Sequence, residues 1–180
     1  MARTAWLVAM AAVGLSVLSV ASQTTPDFSG RWTLDPEPQP PPAAGAPVRV
    51  VPGDMGTGWG PTITITQDLK QLVVEYVLFS RYDLQPPLRF VYALDGSEAQ
   101  NSVMMGHASQ VQRSRTAWDG ASLVITTEHS STDPASGKQV TTEVRHKLSL
   151  ESPTALVVEV TRAGVLGGRP STTRKMYRKG

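Results

Sequence analysis

The sequence predicts an all-β protein, an antiparallel up-and-down barrel of about eight to ten strands that follows an N-terminal signal peptide. Three observations carry this. A short apolar run ending in small residues opens the chain. The remainder alternates apolar and polar residues with a period of two, and turn signals recur at short intervals. Outside the opening run, no helical period persists for more than two turns.

The opening Met1-Ala2-Arg3-Thr4 carries one positive charge and leads into an apolar stretch from Ala5 to Val20. Ser19-Val20-Ala21-Ser22 then has the small-residue spacing that a signal peptidase accepts. The stretch is shorter than the roughly 20 residues a spanning helix needs, and Gly14, Ser16 and Ser19 dilute it. Residues 1–21 are therefore expected to be a signal peptide cleaved after Ala21 or Ser22. The product is expected in the periplasm or outside the cell, with no transmembrane segment in the mature chain. Residues 22–180 are expected to form one domain. The chain has no cysteine, so disulfides, lipidation at cysteine and thiol catalysis are all excluded. The formal net charge is +2 with the leader included, so no strong field points to nucleic acid as a partner.

After the first strand the composition changes. Asp35-Pro36-Glu37-Pro38-Gln39-Pro40-Pro41-Pro42 is proline-rich, and Gly and Ala follow as far as Pro61. Proline removes the amide donors that a sheet interior requires, so residues 36–61 read as an extended insertion. A lid or partner-docking arm containing Trp59 is the functional alternative.

The strongest strand lies at Val140 to Glu151. Val140, Thr142, Val144, His146, Leu148 and Leu150 share one face, while Thr141, Glu143, Arg145, Lys147, Ser149 and Glu151 share the other. That is one buried and one wet face of an antiparallel sheet. Two Asp-Gly pairs predict two-residue hairpin turns. Around Asp119-Gly120 the expected partners are Trp118 with Ala121, Thr116 with Leu123, Ser114 with Ile125 and Gln112 with Thr127. Around Asp95-Gly96 they are Leu94 with Ser97 and Tyr92 with Ala99. A third hairpin is expected through Asp133-Pro134-Ala135-Ser136-Gly137. A meander of this many strands must hide its edges, and closure into a barrel does so. A two-layer sandwich is the competing architecture.

The segment Pro26-Asp27-Phe28-Ser29-Gly30-Arg31-Trp32-Thr33-Leu34-Asp35 resembles the Phe-Ser-Gly-x-Trp-x-Leu opening of small exported bacterial proteins with lipocalin-like barrels, most of them uncharacterised. The Trp118-to-Ile125 hairpin and the terminal Met176-Tyr177-Arg178-Lys179 are similar to that group as well. The resemblance implies that Gly30 and Trp32 close one end of the barrel. It also implies that Arg178, or Lys179, packs over the indole, a pairing to which cation–π attraction gives physical sense. There is no Thr-Asp-Tyr motif in the middle of the chain, and the proline-rich insertion has no counterpart in the pattern.

No nucleophile elbow, phosphate loop or paired-histidine metal motif is present. The histidines are His107, His129 and His146. His129 and His146 fall on inward faces too far apart for one metal ion. Glu128, Glu143 and Glu159 fall on solvated faces, so a glycosidase-like carboxylate pair has no support. No catalytic residue, metal or cofactor is expected. Polar residues on an otherwise apolar inner face suit a cavity that holds water or a ligand. The candidate lining is Tyr76, Tyr92, Ser114, Trp118, Ile125, His129 and His146, and the expected ligand is a small, mostly apolar molecule. The alternatives are a non-catalytic envelope module with a filled core, and an enzyme whose site converges only in space. Basic residues Arg162, Arg169, Arg174, Lys175, Arg178 and Lys179 follow the last acidic residue. They read as protection of a sheet edge, or as a weak contact with an anionic envelope surface.

Overall fold

A computed structural model of the chain describes residues 25–36, 58–77, 87–105, 108–132, 136–163 and 169–180. The expected signal peptide, most of the proline-rich insertion, His107 and the Asp133-Pro134-Ala135 part of the third turn lie outside the described residues. Those residues form ten strands and no helix: β1 (Gly30–Leu34), β2 (Thr62–Gln67), β3 (Gln71–Tyr76), β4 (Leu88–Ala93), β5 (Ala99–Met105), β6 (Ala108–Asp119), β7 (Ser122–Thr132), β8 (Gln139–Ser152), β9 (Ala155–Arg162) and β10 (Ser171–Lys179).

All pairings are antiparallel, and the sheet order is β4-β3-β2-β1-β10-β9-β8-β7-β6-β5. Apart from β4 and β5, chain neighbours are thus sheet neighbours, and the first strand meets the last through Trp32 opposite Lys179 and Leu34 opposite Tyr177. The result is a nearly closed up-and-down barrel rather than a sandwich. Its interior is one buried cluster that includes Trp32, Trp59, Ile63, Leu72, Leu148 and Tyr177. Alternation places one residue in two inside, so period-two sequence and curved wall are the same fact seen twice.

The ladder is missing at one place only among the described strands, between β4 and β5, the two ends of the sheet order. Side chains bridge that seam. The Asn101 amide accepts from Val91 N–H at 2.8 Å and donates to Val91 C=O at 3.0 Å. The Thr116 hydroxyl donates to Ala93 C=O. An edge that would otherwise leave backbone groups bare is therefore finished by two polar side chains from inside the barrel.

Two register expectations are corrected. At the β6–β7 turn, Asp119 faces Ser122, so Trp118 pairs with Leu123, Thr116 with Ile125 and Ser114 with Thr127. The turn is centred on Gly120-Ala121, with Gly120 at φ +60, rather than on Asp119-Gly120. Moving the centre by one residue shifts each partner by two, so every side chain keeps its predicted face. The second pair, Asp95-Gly96, joins strands that form no ladder, and Tyr92 does not pair with Ala99. At that link the Asp95 carboxylate instead accepts from Ser97 N–H at 2.9 Å.

The strand ends define two unlike ends. At one, short turns join β2 to β3, β6 to β7 and β8 to β9, and residues 26–29 strap across. Gln67 ties this strap down by accepting from Phe28 N–H and donating to Pro26 C=O, both at 3.0 Å. Phe28 is fully buried beneath it. The opposite end is marked by Leu34, Thr62, Tyr76, Leu88, Thr132, Gln139, Arg162 and Ser171.

Candidate functional site

The sealed end is built around Trp32. Its indole N–H donates to Phe28 C=O at 2.8 Å, and Lys179 Nζ lies 5.2 Å from the ring centroid. Gly30 has φ +144, and a Cβ there would meet Lys179 Cε at 2.4 Å. Glycine is needed for the backbone angle and for the lysine stem that lies across it. The cation over the indole is therefore Lys179. Arg178, assigned to closure from the sequence, points outward, and its guanidinium lies 2.9 Å from Asp35. Odd positions of β10 face inward and even ones outward, which decides between the two.

The candidate lining divides into three groups and one separate residue, His129. Tyr92, Ile125 and His146 converge on Trp59. The indole of Trp59 stacks on the His146 imidazole at 4.7 Å with 9° between planes, and its side chain hydrogen-bonds the Tyr92 hydroxyl. Ile125 lies directly across the ladder from His146. Tyr76 adjoins this group and stacks on Phe90 at 5.7 Å. Burial, followed by the nearby Tyr177, pushes Tyr76 up to about 12. Burial first, then Tyr76, raises Tyr92 well above the ordinary phenol range, against the hydrogen bond from Trp59, which lowers it. Both phenols stay protonated at neutral pH and act as hydrogen-bonding groups, not as bases.

Ser114 and Thr127 form the second group. Both are buried, and their hydroxyls bond to each other at 2.9 Å. They belong to the inner wall as expected for their strands, yet they satisfy one another and do not require a ligand. Trp118 stands apart as the third. It is stacked on Phe28 at 6.2 Å and borders a solvent-open cleft of about 420 Å³ outside the seal, shared with Thr25, Asp27, Gln67, Asp68, Leu69 and Leu94. Asp27 and Asp68 are held below the usual carboxylate range by hydrogen bonds within their own turns.

His129 faces inward opposite Thr142, four residues along β8 from His146, or roughly 13 Å at ~3.3 Å per residue. Burial, then the Arg162 charge, holds His129 below the ordinary histidine range. Arg162 itself is inward-facing and 8% exposed. Among the described residues no three histidine or carboxylate side chains gather as a metal site, and no helix is long and apolar enough to cross a membrane.

No family model, curated protein or solved structure matches this chain. The site is accordingly read from its own geometry.

Two residues are buried in the barrel where the sequence pattern does not place them, Trp59 and Arg162. Trp59 was placed within the extended insertion, but Gly58 to Pro61 are packed structure, and the indole is buried in the barrel. Its signal was the Gly58-Trp59-Gly60 triplet: Gly58 has φ +77, and a Cβ on Gly60 would meet Val77 C=O at 3.0 Å. Arg162 was grouped with the late basic residues as edge protection. That reading is corrected, because β10 is no edge and the basic residues divide between the two faces. Arg162 and Lys175 occupy inward positions of the β9–β10 ladder. On the outer face, Arg174 bridges to Glu151 and Glu159, and Arg178 to Asp35. Arg113 and Arg115 both reach Glu98. These four outward arginines are thus paired with carboxylates.

Proposed function

We propose that this chain is an exported, non-catalytic binding module that holds a small, mostly apolar molecule inside its barrel. The observation that carries the reading is a gradient along the inner wall. At the sealed end the inward side chains are large and fully covered: Phe28, Trp32, Leu72, Leu148, Leu156 and Tyr177. Toward the opposite end they are smaller and more polar, and several keep partial access to solvent, among them Gln112, Thr142, Val144 and His129. Eight strands give an interior that side chains just fill or that holds one small ligand, and diameter grows with strand number. Ten strands lined this way suit a ligand that enters from the less bulky end and rests on the apolar floor.

Purification from the native host followed by native mass spectrometry tests this. A reproducible additional mass, lost on denaturation and absent from the denatured chain, is the expected result. Bare protein alone, from every growth condition tried, would overturn it.

A second reading, an envelope module with a filled core, is favoured by one specific observation. The Ser114–Thr127 and Thr116–Ala93 bonds satisfy the inner hydroxyls without any guest. The two readings separate on added apolar probes, which a filled core excludes.

A further inference from the structure

Two tryptophans enter the barrel, and they are held in opposite ways. Trp32 belongs to strand β1, pairs with Ile63 and Lys179 on either side, and is 0% exposed. Trp59 belongs to no strand and is 9% exposed. It reaches the interior from a short segment flanked by glycines. Leu34 N–H donates to Pro61 C=O at 2.7 Å, and the Tyr177 hydroxyl donates to Gly60 C=O at 3.3 Å. Yet the indole finds what a guest would need. A buried imidazole lies parallel beneath it, and a buried phenol takes its side-chain hydrogen bond. Ile125 and Val160 flank that imidazole across the two neighbouring ladders.

We infer that Trp59 occupies the ligand's own place, and that the preferred ligand is a planar aromatic carrying a hydrogen-bond donor, which displaces the indole and stacks on His146. This rests on the proposed binding function and narrows its ligand class. The walls of the position belong to rigid strands, whereas the ring that fills it comes from a connection. Removal of the ring therefore leaves the recognising surfaces in place. A ligand that must first displace a tethered side chain binds with an apparent dissociation constant raised by the reciprocal of the open fraction. Freeing the position strengthens binding by that factor, while an aliphatic guest gains no stacking on the imidazole.

The test compares wild type with Trp59→Ala and Trp59→Leu, titrated calorimetrically with 2-naphthol and with 1-decanol. Each probe has one hydroxyl, but only the first is planar. Indole emission is followed in parallel. The expected result is that wild type binds 2-naphthol with a red shift of its emission. Both variants should bind it at least about tenfold more tightly and prefer it to 1-decanol. Trp59→Leu serves should the alanine variant fail to fold. Equal naphthol affinity in all three proteins overturns the inference, as does preference for decanol in the variants. Naphthol binding to the variants but not to wild type overturns it too, since a hole cut into any core admits a ring. Where wild type still binds a probe, the broader reading survives; where only the variants bind, it falls as well. No binding of either probe to any of the three defeats both.

Discussion

Asn101 is the residue on which closure of the wall turns, and its replacement by alanine should be costly for a side chain that contributes nothing to a ladder. Its amide makes two hydrogen bonds to one residue across the seam, Val91 N–H and C=O at 2.8 and 3.0 Å. Asn101 is only 6% exposed. Truncation strands one backbone donor and one backbone acceptor where no neighbouring strand is in register to take them. Each buried polar group left without a partner costs about 1–3 kcal/mol. Val91 is half-buried, so water reaches it in part, and the lower half of the summed range applies. The expected loss is therefore about 2–4 kcal/mol, a large share of the typical stability of a domain. Urea unfolding followed by circular dichroism measures it. Amide exchange should show Val91 losing protection more than Val73, its partner on the other side, which keeps its ladder. Asn101→Asp retains an acceptor for Val91 N–H but offers no donor to Val91 C=O while ionised, so it should fall between wild type and alanine near pH 4 and below alanine near pH 7. A loss under about 0.5 kcal/mol for Asn101→Ala, with Val91 exchange unchanged, would refute the assignment of Asn101 as the bridge across the seam.

Three further outcomes follow from the same geometry. Trp32→Ala should cost about 3–5 kcal/mol, the range for a buried aromatic, read from chemical denaturation; an unaltered midpoint removes its role in the seal. Lys179→Met keeps the stem over the ring but not the charge, so it should cost about 0.5–1 kcal/mol, whereas Arg178→Met should leave the Trp32 end unaffected and remove only the exposed pair with Asp35; a larger loss for the arginine variant would reverse the assignment. Because burial and Arg162 lower the His129 pKa in the folded state, the unfolded chain takes up the proton first. The stabilisation is complete above the unfolded value near 6.5 and declines as pH falls from there toward the folded value. The melting temperature should thus drop between pH 7 and pH 5 in wild type and drop less in His129→Gln, and identical slopes for the two would exclude His129 as a source.

Much of the wall was legible because alternation is a local property. The faces of β6, β7 and β8 follow from period two alone, and they survived a wrong turn centre because such an error moves partners by an even number. What local pattern does not encode is where a barrel fails to close. Asp95-Gly96 and Asp119-Gly120 are alike in sequence, yet only the second joins a laddered hairpin. The difference lies in the divergence of β4 from β5 around the circumference, which no short window contains. The choice between Arg178 and Lys179 was within reach, since the inward parity of Tyr177 determines it. Trp59 was hidden for another reason. Proline and glycine around it argue correctly against a strand, but a residue need not belong to a strand to fill a barrel.

The claim on which the functional reading depends is that the inner wall, and not the outer one, meets the ligand. Methyl-detected NMR with added 1-decanol tests this most directly, because valines on the two faces serve as mutual controls. Shifts at inward Val144, Val160 and Val103, with outward Val73, Val124 and Val157 unmoved, are predicted. Shifts confined to the outward valines, or none in either set, would contradict it.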